Sequence, residues 1–292
     1  MSAALKIESL APGSTKTVLT SHDLARIAKI MDSDAGIYLS GEKSSLVHSR
    51  LVKRLRILQL NSFSTYCDLV ESEAGKGERK ELLNALTTNL TRFFREPHHF
   101  EHLIQTSLPP LIARAKAGEK IRIWSAGSSN GQEAYSIAAV LLSLLPNAEN
   151  YDIKILASDI DRNMVLQARK GIYTEVLMQK MPQKLREKHF DSFDDASGKK
   201  FYCASTQMKN LIAFRELNLN ADIWPMKGKF QTIFCRNTVI YFNEGTQKTI
   251  WMRYKNILEK GGYLYIGHSE RLSGSAVSKF TKSGITTYKL KD

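Results

Sequence analysis

The 292-residue sequence contains no apolar run near the ~20 residues that a membrane span requires. Its longest, IAAVLLSLL at 137–145, suits a buried helix. Cysteine is scarce: Cys67, Cys203 and Cys235 are three in number, with no metal-ligand spacing. That excludes a disulfide framework and predicts free thiols in a reducing cytoplasm. The N-terminal MSAALKIESLAPGSTK has no apolar signal core and reads as a short loose tail. Both glycine patterns of nucleotide-phosphate binding, G-x-G-x-x-G and G-x-x-x-x-G-K-[ST], are missing. Internal repeats and low-complexity segments are missing too.

What is abundant is positive charge. The formal net charge is +13, and residues 1–85, with 12 Lys/Arg and 10 Asp/Glu, carry only +2 of it. A basic surface of this kind attracts nucleic acid, anionic membrane or an acidic protein, and charge alone leaves all three open.

The first ~85 residues read as short helices with no strand signal before residue 120. SHDLARIAKIM (21–31) spaces Leu24, Ile27, Ala28 and Met31 as a helix, with Ser21 and Asp23 near its start. In SSLVHSRLVKRLRILQL (44–60), Val47, Leu51, Leu55 and Leu58 form one apolar stripe. Arg50, Lys53, Arg54 and Arg56 fall on the remaining arc. That arc is either a solvated face or a docking surface for an acidic partner. TYCDLVES and KGERKELLNALTTNL suggest two more helices around the turn-like EAGKGE, 73–78.

From residue 121 strands alternate with helices, the pattern of βαβ units and a parallel sheet. IRIWSAG leads into GQEAYSIAAVLLSLL, and DIKILASDID into a helix ending near Gly171. FQTIFCRN, EGTQKTIWMRYKNILEKGG, GYLYIGHS and TKSGITTYKL follow. Between about 174 and 215 the rhythm breaks into period-2 runs around a polar turn, as expected of a small strand-bearing insertion.

In an open parallel sheet the ligand sits at the carboxyl ends of the strands. That puts Ser125–Gly131 and Asp159, which ends the second strand, at the expected site. Asp159 can receive ribose hydroxyls or can cap the next helix, and Asp161 is at least as good a cap. Glu133, in the first turn of the helix, would repel a pyrophosphate but attract a cationic amino-acid moiety. The alternative is a surface Glu that stabilises the helix N-terminus. These residues favour S-adenosylmethionine, which has no phosphate and carries a positive sulfonium, over a dinucleotide.

Five stretches, TTNLTRFFREPHHF (87–100), WSAGSSNGQEAYSIA (124–138), ASDIDRNMVLQARKGIY (157–173), FCRNTVIYF (234–242) and GGYLYIGHSERL (261–272), together resemble the chemotaxis receptor methyltransferase family, CheR. The resemblance spans nearly the whole chain, including RLVKRLRILQL. It implies an all-α N-terminal domain (1–85), then a linker and helix carrying NLTRFFR (86–120). The third part is an α/β, Rossmann-like methyltransferase domain (121–292) with a seven-stranded sheet and a small antiparallel β-subdomain. The implied activity is methyl transfer from S-adenosylmethionine to glutamate side chains of chemoreceptors, giving methyl esters and S-adenosylhomocysteine. The family's cofactor contacts fall on Asn89, Thr91, Arg95, Glu133, Asp159, Asn218, Leu219, Arg236 and Asn237. Arg95 and Tyr241 are the pair implied nearest the transferred methyl and the substrate carboxylate.

A carboxylate nucleophile, with a pKa of about 4.3, needs no general base at neutral pH. It needs an in-line approach and donors to hold it, for which an Arg fork and a Tyr hydroxyl are apt. His98 and His99, consecutive on a helix, read as packing or surface residues, and His268 as a residue that could line the site. No metal is expected. The resemblance turns the basic arc of Arg50, Lys53, Arg54 and Arg56 into a docking surface for the receptor's acidic methylation helices. One departure concerns family members that add a receptor C-terminal pentapeptide to the small subdomain through a glycine-rich turn. DSFDDASGKK has one glycine and three acidic residues there, which argues against that tether. A cytoplasmic monomer without membrane insertion is expected. The rivals are a nucleic-acid methyltransferase, disfavoured because FCRN stands where a motif such as N-P-P-Y would, and a non-catalytic cofactor sensor, disfavoured by Arg95 and Tyr241.

Overall fold

Helix α1, Ser21–Ala35, starts at a reciprocal cap. The Asp23 N–H donates to Thr20 Oγ1 at 3.1 Å, and the Thr20 N–H donates to Asp23 Oδ2 at 3.3 Å. The cap is therefore Thr20 paired with Asp23, one of the two residues expected near the start; Ser21, the other, is the first helical residue. The computed structural model describes residues 17–292, and the N-terminal segment expected to be a loose tail lies outside the described residues. Two compact units emerge, one from residues up to 29 with 39–86, the other from 30–38 with 87–292. Residues 30–38, expected with the first unit, thus group with the second.

In the first unit, α2 (Ser44–Ile57), α3 (Phe63–Glu71) and α4 (Lys76–Leu86) bury Val47, Leu51, Leu55, Phe63, Tyr66, Val70 and Leu82. The expected helix to residue 60 stops early because Gln59 turns left-handed, at φ 55°. The Leu60 N–H returns to the Leu55 carbonyl and the Gln59 N–H to that of Arg56, which closes the end. Leu58, placed on the stripe by spacing, is consequently only half-buried. The basic arc is not uniform. Lys53 and Arg56 are exposed. Arg54, however, forms a two-pronged ion pair with Glu78, its Nε 2.8 Å from Oε1, and lies 3.8 Å from Glu81. The Tyr66 hydroxyl donates to the same Glu78 at 3.0 Å, and Arg50 Nη1 donates to the Ala85 carbonyl at 3.3 Å.

The second unit departs from the expected helix at its start. NLTRFFR does not lie on a helix: Phe94 and Glu96 hold left-handed φ of 51° and 56°, and helix α5 begins only at Pro97 (Pro97–His102). The residue before a proline is steered away from helical geometry, and proline then supplies a ready first helical position. Phe93, fully buried against Tyr173 and Phe190, anchors this loop. Helix α6, Leu108–Lys116, precedes β1 (Ile121–Ala126), α7 (Gln132–Leu144), β2 (Ile153–Asp159) and α8 (Arg162–Lys170). The small elements β3 (Ile172–Thr174), α9 (Glu175–Met178), α10 (Gln183–His189), β4 (Phe190–Asp194), β5 (Lys200–Ala204) and α11 (Thr206–Leu211) follow. Last come β6 (Ile212–Glu216), β7 (Phe230–Cys235), α12 (Glu244–Ile257), β8 (Leu258–Ile266), β9 (Phe280–Gly284) and β10 (Thr287–Leu290).

The large sheet has seven strands in the order β6-β2-β1-β7-β8-β10-β9. Its first five strands are parallel and the β9–β10 hairpin is antiparallel. A separate antiparallel sheet has the order β3-β5-β4. The expected insertion to residue 215 ran too far: Ile212–Glu216 pairs in parallel with β2 at the sheet's edge. The alternation along β1 fills both faces, Ile121 and Ile123 facing one apolar cluster, Trp124 and Ala126 the other. Helix α7 is buried from Gln132 through Leu142, as its apolar run required. Chain direction from β1 goes outward to β2 on one side and to β7 on the other, so the cleft falls between β1 and β7.

Candidate active site

The cleft is built from the turns that leave β1, β2, β6, β7 and β8. After β1, Gly127 takes φ 76°, and a Cβ there would lie 2.2 Å from Thr238 Oγ1, so only glycine fits. The Gly127 and Ser128 N–H groups both donate to the Ser158 carbonyl at 2.8 Å, which ties the turn to β2. Gly131, at φ 89°, starts α7 and packs on Ala168. Ser129 Oγ donates to the Asn89 carbonyl at 2.9 Å, and Asn89 Nδ2 donates to Asp161 Oδ2 at 2.7 Å. The 89–96 loop is thereby stitched over the β1 and β2 turns. Thr91 lies on it, half-exposed.

The two carboxylates anticipated here are both buried, and both already have partners. Asp159 accepts the Ser129 N–H at 2.7 Å and the Asp161 N–H at 2.9 Å. Burial pushes its carboxyl up to about 6, against the pull of those N–H donors. Asp161 is the cap of α8, accepting from Asn163 and Met164. Glu133 accepts Ser125 Oγ at 2.7 Å and faces Arg236 at 3.1 Å. Burial raises its carboxyl and Arg236 works to lower it.

Arg236, 1% exposed at its side chain, is the meeting point. Besides Glu133 it lies 3.3 Å from Glu96 Oε2, donates to the Arg95 carbonyl, and sits 5.8 Å from the Phe100 ring. Burial would raise the Glu96 carboxyl, yet Arg236 and the His268 contacts prevail and hold it down at about 2. His268 reaches Glu96 Oε1 through Nδ1 at 3.0 Å, while its own side chain is largely exposed. Arg95 is half-exposed and its Nη1 donates to the Leu90 carbonyl at 2.9 Å. Tyr241 ends a short 3₁₀ turn, Val239–Tyr241, further along the segment that starts at Arg236. Asn218 and Leu219 follow β6; Leu217, just before them, donates its N–H to the Asp159 carbonyl at 2.9 Å. Asn218 Oδ1 accepts the Asn220 N–H at 2.8 Å, and Leu219 is buried.

Two carboxylates that sequence reasoning did not single out turn out to organise the site. Glu96 is one. The other, Glu270, accepts the N–H groups of Asn237, Thr238, Val239 and Gly267. Burial raises its carboxyl against those four donors. Both residues lie inside quoted motifs, but nothing in their spacing tells which distant backbone they meet. His99, fully buried beside Thr286 Oγ1 at 2.9 Å, is a packing residue whose imidazole burial and Arg236 hold neutral, at about 3. Glu96, His98 and His99 bring ligand-type atoms within 4.8 Å of one another. Glu96 of that cluster is also the ion-pair partner of Arg236.

The acidic set of Asp159, Glu133 and Glu96 outnumbers its single buried cation. Asn237 Oδ1 and Ser128 Oγ remain buried polar atoms without a hydrogen bond. Such a cleft fits a nucleoside carrying a positive, phosphate-free moiety. Fold and cleft together define the class: an S-adenosylmethionine-dependent methyltransferase. Residues 89–289 match the CheR methyltransferase SAM-binding domain and residues 22–87 the CheR all-alpha domain. The chain is 52% identical to the "Probable chemotaxis protein methyltransferase" of Rhizobium etli over 88% of this chain and 95% of that protein. It is 39% identical to the chemotaxis protein methyltransferase of Escherichia coli, over 94% and 93%. Against that of Borreliella burgdorferi it is 37% identical, over 88% and 90%. The chain belongs to the CheR methyltransferase family. No described helix is long and apolar enough to cross a membrane.

Proposed function

We propose that this protein methylates glutamate carboxylates of chemoreceptors with S-adenosylmethionine, producing glutamyl methyl esters in chemotactic adaptation. The observation that carries the reading is the gathering of Asp159, Glu133 and Arg236–Asn237 at the carboxyl ends of β2, β1 and β7. S-adenosylmethionine supplies, when bound, a methyl group on a positive sulfur. Asp159 receives the ribose hydroxyls, and the Glu133–Arg236 pair presents a fixed charge pattern to the amino-acid end. Asn89, Thr91, Asn218, Leu219 and Asn237 complete the walls. Arg95 and Tyr241 hold the incoming glutamate carboxylate, stripped of water and aligned, so that one oxygen approaches the methyl in line. The substrate is already ionised, so no side chain has to take a proton from it and no metal is required.

The N-terminal unit supplies docking to the acidic methylation helices. Arg56 and Lys53, exposed, are better placed for this than Arg54, whose charge is spent on Glu78. The turn of the small sheet supports a tether-free encounter. Asp195 Oδ1 accepts from Ser197 N, Ser197 Oγ and Lys199 N, so this acidic turn closes on itself rather than offering a glycine-rich edge. The reading includes a cytoplasmic monomer that takes no nucleic acid.

Transfer of radiolabelled methyl to a receptor cytoplasmic fragment should give base-labile label; label in RNA, or none, contradicts the reading. In the same assay Arg56→Ala should raise the receptor KM several-fold at low salt with little change in kcat, a difference that fades as salt rises. Equal KM across ionic strength would count against docking by this arc. Asp159 gives a pH signature. Hydroxyl donors favour its ionised form, so cofactor binding must first discharge the proton held below about pH 6. Calorimetry with S-adenosylhomocysteine should show affinity level above pH 6 and falling by up to about tenfold per unit below it. Asp159→Asn should bind more weakly and without that slope. A flat wild-type profile between pH 5 and 7 contradicts the ribose role.

A further inference from the structure

Glu270 lies beyond the end of β8, is 3% exposed, and has no cation opposite it among its hydrogen-bond partners. Its Oε1 accepts the Thr238 N–H at 2.9 Å and the Val239 N–H at 2.7 Å. Its Oε2 accepts the Asn237 N–H at 3.0 Å and the Gly267 N–H at 2.6 Å. All four groups belong to backbone that leaves two adjacent parallel strands, β7 and β8. Only an ionised carboxylate can accept four N–H bonds at once, since a protonated one would present a donor to donors.

The backbone being held is not relaxed. Asn237 adopts φ 57°, a left-handed conformation that costs a non-glycine residue about 1 kcal/mol. Thr238 presses on Gly127, where any Cβ would lie 2.2 Å from its hydroxyl. Gly267 faces Asn237 so closely that a Cβ there would sit 2.7 Å from the Asn237 N and 2.6 Å from its Nδ2. Three turns, from β1, β7 and β8, therefore interlock at one point, and Glu270 is the group that supplies hydrogen bonds to two of them. Arg236 lies just before this turn and Tyr241 ends it. A strained segment persists when its surroundings over-determine it.

We propose that Glu270 is a positioning residue for methyl transfer: its carboxylate fixes the Asn237–Val239 turn, and through it sets Asn237 against the cofactor and Tyr241 against the substrate. It touches neither reactant itself. The inference rests on the reading that Arg236 and Asn237 hold the cofactor.

Glu270→Gln is the direct test, because an amide keeps the shape but turns an N–H₂ towards N–H donors on one edge. Full-length protein is measured by circular dichroism, by thermal melting and by calorimetry with S-adenosylhomocysteine, alongside kcat on a receptor fragment. The expected result is a folded variant whose Kd rises about tenfold or more and whose kcat falls at saturating cofactor, the scale of one or two lost hydrogen bonds. A variant that melts earlier but binds S-adenosylhomocysteine and turns over like wild type would show a merely structural role and overturn the inference. Glu270→Asp, which keeps the charge but draws the carboxylate back from the turn, gives the answer if Glu270→Gln does not fold. Weakened binding supports the proposal, and wild-type binding overturns it. Asn237→Ala separates the two levels: wild-type affinity there sinks the cofactor reading itself. Weakened affinity there with unchanged Glu270→Gln sinks only the role given to Glu270.

Discussion

A guanidinium that is almost wholly removed from water must find its counter-charges inside the protein, and Arg236 finds them on segments distant in sequence. Glu133 comes from the start of α7, Glu96 and the Arg95 carbonyl from the 89–96 loop, and Phe100 from α5. The 89–96 loop carries two left-handed residues and no regular secondary structure, so its position is set by such contacts rather than by its own propensity. Phe93 in the core and Asn89 on Asp161 hold the same loop from behind. The Arg236 interaction therefore decides where Arg95 stands and which carboxylates stay charged. Glu96 is kept ionised by it, while Glu133, more deeply buried, retains a raised carboxyl despite it.

The turn after β1 is shaped by packing within the protein. Its two glycines are explained by neighbours within the protein: Gly127 by Thr238, Gly131 by Ala168 and the start of α7. Neither is spare for cradling a pyrophosphate. Where a third glycine would be expected, the chain has already entered α7, which is buried from Gln132 through Leu142. Negative charge at the helix start suits a ligand with a positive end and opposes a phosphate.

Much of this was legible in the sequence. The β1, β2, β7 and β8 runs read as strands because a parallel sheet is covered on both faces, which makes its strands largely apolar. Asp159 ending β2 and Asp161 capping α8 followed from their order along the chain. What stayed hidden was non-local. Ile212–Glu216 is too short to show whether it pairs with β2 or with the small sheet. The 89–96 loop mimics a helical stretch in composition, and only Phe94 and Glu96 at positive φ break it. Arg54 looks like its neighbours on the basic arc, and its loss to Glu78 depends on how α2 and α4 pack. Glu270 and Glu96 sit in recognisable motifs, but which distant backbone a carboxylate meets is a property of the folded chain.

Arg236 neutralises the buried acids gathered at the candidate site, and unfolding of Arg236→Met by denaturant at pH 8 and pH 5 tests this most directly. Without the cation, Glu133 and Glu96 have folded-state pKa values raised above their unfolded ones. The cost of burying their charge is then present at high pH and relieved as protons bind. The account predicts a loss of about 3–5 kcal/mol at pH 8 and a clearly smaller loss at pH 5. Wild-type stability at pH 8, or an equal loss at both pH values, would contradict it.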